Sequence, residues 1–223
     1  LTRWERAGSG ISFTVRTPRF TCDVYLPTPA HFNLANALGA ISCAEALGVD
    51  AEDIVQGLAE VRVSGRMEVY PSASGEIVGV VDYAHNGMSL TALLGEMRES
   101  YPDRELTVVF GATGGKGVDR RDTMGEAAGK LADRIIITED DPGPEDPAVI
   151  CDAIARAVSA QGHDRWEIVL DRPQAIVRAV EGAKRPAVVV VTGKGNDAFM
   201  LRHGVREPYE PDGEQLARLL AEA

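Results

Sequence analysis

Five apolar stretches of this chain each end directly at residues that could bind or react with a ligand. The stretches are residues 77–81, 106–110, 135–138, 168–170 and 188–191, and the residues after them are Asp82-Tyr83-Ala84-His85, 111–117, 139–143, Asp171-Arg172 and 192–197. Carboxylates, a histidine and arginines can hold phosphate, sugar or amino-acid groups, and glycine-rich turns let backbone N–H groups approach an anion. This repeated arrangement predicts an enzyme-like site where the five stretches end.

The elements that would position these residues are strands and helices in alternation. Short stretches that are apolar on both faces are typical of central strands in a parallel sheet covered by helices on each side. Helical stripes lie between them, at residues 89–100, 122–132 and 173–180, and Asp146 before Pro147 predicts a further helix start. The pattern indicates an α/β fold with a Rossmann-like, doubly wound, mostly parallel sheet, which binds ligands beyond the carboxyl ends of its strands.

Residues 1–61 have a different pattern. Alternating residues at 11–15 and 20–26 predict two strands, and apolar stripes predict helices over 33–47 and 51–60. We place a domain boundary near residues 61–64, so that residues 62–223 contain the α/β sheet. Because the first residue is Leu1 and the chain opens in strand-like sequence, we interpret residues 1–61 as the end of an incomplete domain.

Composition excludes several classes of function. The 223 residues carry a net charge of -11, which argues against nucleic-acid binding because neutralising phosphates requires clustered Lys and Arg. The sequence has no signal peptide and no long apolar segment, so we expect a cytoplasmic protein without membrane insertion. Cys22, Cys43 and Cys151 are scattered, and we interpret them as reduced core residues without a metal.

One alternative function rests on the glycines after the second apolar stretch. Gly111-x-x-Gly114-x-x-Gly117 resembles a dinucleotide fingerprint, and Asp140 closes the next strand where a ribose-binding acid would belong. The charged segment 118–122 is unlike the apolar helix that packs behind such glycines, and no Tyr-x-x-x-Lys pair is present to move a proton. An NAD(P)-dependent dehydrogenase is therefore the less favoured interpretation.

The two Gly-Lys pairs do not form a Walker phosphate loop. Such a loop requires Gly-x-x-x-x-Gly-Lys followed by Ser or Thr, whose hydroxyl binds magnesium. Here Gly115-Lys116 and Gly193-Lys194 are each followed by glycine. If the protein uses ATP, this chain does not hold the triphosphate alone.

Seven motifs in order resemble the Mur ligases of peptidoglycan synthesis, in particular those that add the third amino acid. They are Phe32-Asn33-Leu34-Ala35-Asn36, Gly65-Arg66-Met67-Glu68, Asp82-Tyr83-Ala84-His85, Arg120-Arg121 with Met124, Asp140-Asp141-Pro142, Asp171-Arg172 with Ala175-Ile176, and Gly193-Lys194-Gly195. The resemblance implies that residues 1–61 end the central ATPase domain and that 62–223 form the C-terminal domain. It also implies ATP and Mg²⁺ as cofactors, with the magnesium ligands and catalytic residues outside these 223 residues.

The reaction implied by this resemblance is an amide synthesis. ATP phosphorylates the γ-carboxylate of D-glutamate on UDP-N-acetylmuramoyl-L-Ala-D-Glu, and the amine of a free amino acid then displaces phosphate. A monomer is expected, and this fragment alone would be inactive. Two other possibilities remain open, namely a relative of folylpolyglutamate synthase and a non-catalytic Mur-like binding subunit.

The resemblance also assigns residues to the nucleotide. Asn36 would contact adenine, Asp82 the ribose hydroxyls and Arg66 the phosphates, with His85 near the phosphates. Carboxylates accept hydrogen bonds from hydroxyls, and arginine offers several donors to phosphate oxygens. The alternatives are a solvated Arg66, an Asn36 that bonds within its helix and a His85 that only fixes its loop.

On the amino-acid side, the resemblance implies that Arg121 binds the α-carboxylate of the acceptor. The alternative for Arg121 is a pair with Asp119 or Asp122. The loop Asp140-Asp141-Pro142-Gly143 would select the acceptor side chain, and Gly193 and Asp197 would close the other side of the pocket.

The selecting loop departs from the Asp-Asn-Pro-Arg that is usual in the family. Gly143 cannot pair with the distal carboxylate of diaminopimelate, whereas Asp141 and Asp197 suit the terminal ammonium of lysine or ornithine. We therefore predict a diamino-acid acceptor without a distal carboxylate. Diaminopimelate recognition would be restored if Arg202 or Lys116 reached the same position.

Overall fold

In a computed structural model, which describes residues 1–7 and 10–223, the chain forms two compact units, Leu1–Val63 and Ser64–Ala223. The first unit contains three strands, β1 (Arg3–Ala7), β2 (Gly10–Arg16) and β3 (Thr21–Leu26), and two helices, α1 (Asn33–Ala46) and α2 (Ala51–Glu60). The strands form an antiparallel sheet in the order β1-β2-β3. Alternate residues of β2 are buried in one cluster with residues of both helices, namely Ile11, Phe13, Val15, Leu34, Ile41 and Ile54.

The second unit contains eight strands and five helices. In chain order they are β4 (Glu68–Pro71), β5 (Ile77–Asp82), α3 (Gly87–Ser100), β6 (Glu105–Phe110), α4 (Asp119–Leu131), β7 (Arg134–Ile137), α5 (Pro147–Ser159), β8 (Trp166–Ile168), α6 (Arg172–Glu181), β9 (Ala187–Thr192), β10 (Phe199–Arg202), β11 (Val205–Pro208) and α7 (Asp212–Ala221). Six strands form one sheet in the order β4-β5-β9-β6-β7-β8, in which β4 is antiparallel to β5 and the other pairs are parallel. The predicted doubly wound, mostly parallel α/β fold is confirmed.

Both faces of this sheet are covered. One face packs against α6 and α7 in a cluster that contains Ile77, Val81, Val109, Ile176, Val189 and Leu216. Val80 and Val108 point to the opposite face because side chains alternate along a strand, and both are completely buried. The helices α3, α4 and α5 pack side by side and supply the buried residues Leu90, Met124 and Ile154.

Most predicted elements lie within a few residues of their expected positions, and side-chain caps account for the starts of α3, α5 and α6. Asp146 accepts a hydrogen bond from the Ala148 N–H with proline at the first helical position, as predicted. The helix α3 begins two residues earlier than predicted, because Asn86 and Ser89 form a capping box.

The prediction of a central strand at residues 168–170 was wrong. The strand is Trp166–Ile168, and it lies at the edge of the sheet, where it pairs with β7 alone. Its three residues are half-buried, as an edge strand permits. The sequence analysis also missed the hairpin of β10 and β11, whose two-residue turn has φ values of 51° at His203 and 78° at Gly204.

Candidate functional site

The carboxyl ends of the parallel strands lie on one side of the larger sheet, and the polar residues that the sequence indicated lie there. Asp82, the last residue of β5, lies opposite Thr192, the last residue of β9. The strand β9 also pairs in parallel with β6, so the loops that follow β5, β9 and β6 are neighbours. The strand order places β9 between β5 and β6, so this edge contains the point where the chain reverses its direction across the sheet. Ligands of open α/β sheets bind in such a crevice.

Asp82 is buried and fixes the turn before β4 to the end of β5. Its Oδ2 accepts a hydrogen bond of 2.9 Å from the Met67 N–H, and its Oδ1 accepts one of 2.8 Å from the Ala84 N–H. Burial raises the pKa of Asp82, while these N–H groups and the charge of Arg66 limit the rise. Both carboxylate oxygens already have one partner, so a ribose hydroxyl would have to use their remaining lone pairs.

Arg66 and His85 meet at the ring of Tyr83, which the sequence analysis did not assign to the site. The guanidinium carbon of Arg66 lies 4.7 Å from the ring centroid, a cation–π contact. The His85 Nδ1 lies 2.8 Å from the Tyr83 carbonyl oxygen, and the two rings meet edge to face. Arg66 is exposed, and among the described residues no oxygen accepts a hydrogen bond from its guanidinium. Its donors are available to an anion.

Asn36 does not belong to this group of residues within the larger unit. It lies on α1 of the first unit, is exposed, and donates a hydrogen bond of 2.9 Å to the Asn33 side chain. This is the local bonding that the sequence analysis weighed as the alternative to an adenine contact.

Arg121 is buried at the start of α4, and a carboxylate of the chain itself binds it. One terminal nitrogen of its guanidinium lies 2.9 Å from each carboxylate oxygen of Glu145. The alternative partners suggested by the sequence were Asp119 and Asp122, which lie on α4 with Arg121, and this suggestion was wrong. The partner is Glu145, which lies in the loop before α5. Glu145 also accepts a hydrogen bond of 2.6 Å from the Gly115 N–H.

Asp141 pairs with a cation of the chain itself. This corrects the prediction that Asp141 and Asp197 are both available to bind the ammonium group of a ligand. The Lys194 Nζ lies 2.9 Å from Asp141 Oδ1, and the same oxygen accepts the Leu201 N–H at 2.8 Å. Lys194 is 1% exposed, so its charge needs this carboxylate. The backbone of Asp141 has a φ of 45°, which Asp and Asn tolerate better than most residues. Asp197 lies farther from Lys194 Nζ, at 4.0 Å, and 32% of its side chain is exposed.

Asp140 is buried at 4% exposure, and Gly193 lies directly against it. A Cβ on Gly193 would collide with the Asp140 Oδ2, and the φ of 114° at Gly193 also excludes most side chains. Burial raises the pKa of Asp140, although the charges of Arg172 and Lys194 act in the opposite direction. This contact fixes the loop after β7 to the loop after β9.

The glycines that resemble a dinucleotide fingerprint have a packing role in this fold. A Cβ on Gly114 would overlap the carbonyl of Pro142, so the loop after β6 and the loop after β7 touch through their backbones. Gly114 also donates its N–H to the Asp141 carbonyl at 3.1 Å. Gly114 is therefore needed for the contact between these two loops.

The hairpin of β10 and β11 is hydrogen-bonded to Asp141 and Gly143. The Gly143 N–H donates to the Leu201 carbonyl at 3.0 Å, and Gly143 has a φ of 61°. Next to it, Arg202 pairs with both Glu139 and Glu207, and these carboxylates raise its pKa above the ordinary value. Arg202, one of the two cations that could have replaced the arginine of the family motif, is therefore already neutralised.

A buried ion pair behind the site was missed by the sequence analysis. Arg172 forks onto Asp212 through bonds of 3.0 and 2.8 Å, and both side chains are fully buried. The same guanidinium donates to the carbonyl of Glu139, two residues after β7, and to that of Thr192, the last residue of β9. Burial is the largest single effect and lowers the pKa of Arg172, but the charge and hydrogen bonds of Asp212, together with the charges of Tyr209 and Asp140, raise the pKa above its ordinary value. The sequence signal that could have indicated this ion pair is the position of Arg172, two residues after the apolar stretch 168–170.

The part of the chain that the structure describes contains neither a metal-binding cluster nor a membrane-spanning helix. Among residues 1–7 and 10–223, no group of three or more His, Cys, Asp and Glu side chains is arranged to hold a metal ion. The helices of these residues are all too short or too polar to cross a bilayer.

Comparison with known proteins gives consistent relatives for this fold and site. Residues 65–195 match the family described as Mur ligase, glutamate ligase domain. UDP-N-acetylmuramoyl-L-alanyl-D-glutamate--L-lysine ligase of Enterococcus faecalis is 41% identical over 186 residues, which are 81% of this chain and 35% of that protein. UDP-N-acetylmuramyl-tripeptide synthetase of Lacticaseibacillus paracasei is 39% identical over 196 residues, 86% of this chain and 37% of that protein. The chain thus spans a little over a third of the length of these relatives.

Solved structures agree with this result. The structure of a UDP-N-acetylmuramoyl-L-alanyl-D-glutamate--2,6-diaminopimelate ligase superposes with a TM-score of 0.67 at 29% identity, over 98% of this chain and 44% of that one. Folylpolyglutamate synthase of Mycobacterium tuberculosis, solved with ADP and AMPPCP, gives a TM-score of 0.68 at 24% identity, over 86% of this chain and 44% of that one. The second similarity is one of fold alone.

Proposed function

Because this chain belongs to the Mur ligase family, we propose that it is part of an ATP-dependent ligase that adds the third amino acid of the peptidoglycan precursor. The observation that carries the proposal is the 41% identity to a ligase named for L-lysine addition to UDP-N-acetylmuramoyl-L-alanyl-D-glutamate. The matched relatives are longer than this chain, so the activity is proposed for a protein that contains their remaining parts as well. Residues 1–61 would end its central ATPase domain, and 62–223 would form its C-terminal domain.

The chemistry of such a ligase requires activation of a carboxylate. An amine does not displace oxide from a carboxylate at neutral pH, and ATP supplies a phosphate leaving group on the γ-carboxylate of D-glutamate. Catalysis then depends on holding the amine against the acyl phosphate and on stabilising charge. As the resemblance to the family implies, the ligands of Mg²⁺ would lie in the part of the longer protein that this chain does not span.

The nucleotide side of the site would be formed around Tyr83. The free donors of Arg66 suit phosphate oxygens, and the stacking of its guanidinium on the ring of Tyr83 limits the conformations it must give up on binding. Asp82 would face the ribose through its remaining lone pairs, and His85 would lie beside the phosphates. Asn36 stays a candidate for the adenine contact.

The acceptor amino acid would bind between the loops after β6, β7 and β9. Arg121 would hold its α-carboxylate, and the loop of Asp140, Asp141, Pro142 and Gly143 would face its side chain, with Gly193 and Asp197 opposite. Asp140 and Gly193 act by fixing the two loops to each other. This arrangement leaves the partly exposed Asp197 as the carboxylate best able to meet a terminal ammonium.

We propose lysine or ornithine as the acceptor. Gly143 has no side chain for a distal carboxylate, and Arg202 is bound by Glu139 and Glu207. A buried carboxylate without a cation costs on the order of 2 kcal/mol or more, which is enough to reverse a preference. The L-lysine named for the relative in Enterococcus faecalis supports the same assignment.

The test is an amino-acid panel on the full-length ligase, scored by phosphate release with UDP-N-acetylmuramoyl-L-Ala-D-Glu and ATP. We expect lysine or ornithine to be preferred over meso-diaminopimelate by at least about 30-fold in kcat/KM, as expected for an unpaired carboxylate. Asp197→Asn should raise the KM for lysine, whereas Glu126→Gln on α4 is a matched exposed control. A preference for diaminopimelate would refute the acceptor assignment.

The nucleotide residues are tested in the same assay at limiting ATP. Arg66→Ala should lower kcat/KM for ATP by about ten- to a hundredfold, since hydrogen bonds to charged groups are worth about 1.5–3 kcal/mol. Arg156→Ala, which removes an exposed arginine of α5, is the control. Wild-type activity of the Arg66 variant would refute its phosphate contact.

A further inference from the structure

The anion site formed by Arg121 is filled by a side chain of the protein. The Glu145 carboxylate receives hydrogen bonds from one terminal nitrogen of Arg121, at 2.9 Å to each oxygen, and from the Gly115 N–H at 2.6 Å. A guanidinium and a backbone N–H that converge on one carboxylate form a site for a carboxylate group in general. Glu145 therefore has the chemistry and the position of a ligand's carboxylate.

Glu145 does not use the full binding capacity of Arg121. The Arg121 Nε is buried and has no hydrogen-bond partner. A carboxylate binds arginine best through two parallel bonds to different nitrogens, whereas Glu145 contacts a single nitrogen with both oxygens. An unpartnered buried donor is unfavourable, so a ligand that also engaged Nε would gain what Glu145 leaves unused.

The two partners also differ in how easily they can leave the contact. The Arg121 side chain is 6% exposed, but that of Glu145 is 31% exposed and lies in the loop before α5. The hydrogen bond from Arg121, followed by that from the Gly115 N–H, lowers the pKa of Glu145, so its carboxylate is charged at neutral pH. Rotation of Glu145 into water would leave Arg121 and the Gly115 N–H open to another carboxylate.

We propose that Glu145 occupies the acceptor's α-carboxylate position in the empty protein and that the bound amino acid displaces it. The identity of the ligand as an acceptor rests on the proposed function, whereas the competition between Glu145 and a carboxylate does not. Because only the open fraction of the site can bind, Glu145 weakens apparent acceptor affinity by that fraction. Glu145 thereby acts as a gate that selects for ligands able to make the bidentate contact.

The competition is tested on the 223-residue chain by NMR, with acetate as the probe carboxylate. The Arg121 Nε–H and the Gly115 N–H resonances are followed during titration of the unaltered protein, Glu145→Gln and Glu145→Ala. We expect acetate to bind both variants about three- to tenfold more tightly, because the partly exposed carboxylate that competes for Arg121 has been removed. Glu126→Gln removes the exposed partner of Lys130 on α4, the helix that also carries Arg121, and should leave the acetate affinity unchanged. Equal acetate affinity in all proteins would overturn the proposal.

The acceptor role is tested by steady-state kinetics of the full-length ligase. Glu145→Gln should lower the KM for the acceptor by the same three- to tenfold factor without raising kcat, since the competitor acts before the chemical step. A higher KM would show that Glu145 positions Arg121, and this result would overturn the gate. If the enzyme ligated no amino acid while acetate still competed with Glu145, the proposed function would fail and the internal competition would stand.

Discussion

The buried pair of Arg172 and Asp212 gives a stability prediction whose magnitude follows from the structure. Asp212→Asn keeps the size of the side chain and one oxygen for the Tyr209 hydroxyl, but removes the negative charge. Arg172 then remains charged with 0% side-chain exposure and without the carboxylate to which it is hydrogen-bonded. Breaking a buried pair on one side costs about 3–5 kcal/mol. We expect the free energy of unfolding of the larger unit to fall by this amount.

Urea unfolding followed by tryptophan fluorescence measures this loss. The chain has two tryptophans, Trp4 in the first unit and Trp166 in the second. In a Trp4→Phe background the signal therefore reports on the larger unit alone. For a slope of about 2 kcal/mol/M, the midpoint of the Asp212→Asn variant should move down by about 2 M urea.

An exposed ion pair between Arg218 of α7 and Glu210, just before that helix, provides the matched control. Glu210→Gln removes the partner of Arg218, whose pair has side-chain exposures of 57% and 46%, and should cost about 0–1 kcal/mol. Arg172→Met combined with Asp212→Leu should recover part of the loss, because two apolar side chains leave no buried charge. A loss below about 1 kcal/mol for Asp212→Asn would refute the reasoning, since it would mean that water reaches the pair.

Three further predictions concern packing, pH and domain structure. Gly193→Ala should cost about 2 kcal/mol or more, because its φ is 114° and its Cβ would meet Asp140, whereas Gly57→Ala, with open space in α2, should stabilise by about 0.5–1 kcal/mol; urea midpoints distinguish the two. Burial raises the pKa of Asp140 above 3.8, so ionisation of this carboxyl favours the unfolded state. Asp140→Asn should therefore raise the free energy of unfolding at pH 7, and this gain should shrink as the pH falls through the raised pKa and vanish below pH 3.8. Urea unfolding at a series of pH values measures the gain, and a gain independent of pH would contradict the prediction. Trypsin should cut first after the exposed Arg62, and mass spectrometry of early fragments would contradict the two units if cleavage began within residues 106–138.

Most strands and helices could be predicted from the sequence, and so could the side of the sheet on which the candidate site residues lie. Apolar β-branched stretches form strands, and Asp146 before Pro147 starts a helix, because these signals act between residues close in sequence. The polar residues after parallel strands had to meet at one edge, since parallel strands share a direction. The strand near residue 168 was misplaced because an apolar stretch alone does not show how many neighbours a strand has.

Only the tertiary structure decided which charges of the site neutralise each other. Glu145 binds Arg121 from 24 residues away, Asp212 binds Arg172 from 40 and Lys194 binds Asp141 from 53. In the sequence these side chains were candidates for ligand contacts or unassigned, and nothing local indicates their partners. The pairs form because separate loops are brought together after different strands, where burial removes water and makes an unpaired charge costly. Which carboxylates and cations remain for a ligand is therefore a property of the assembled sheet edge.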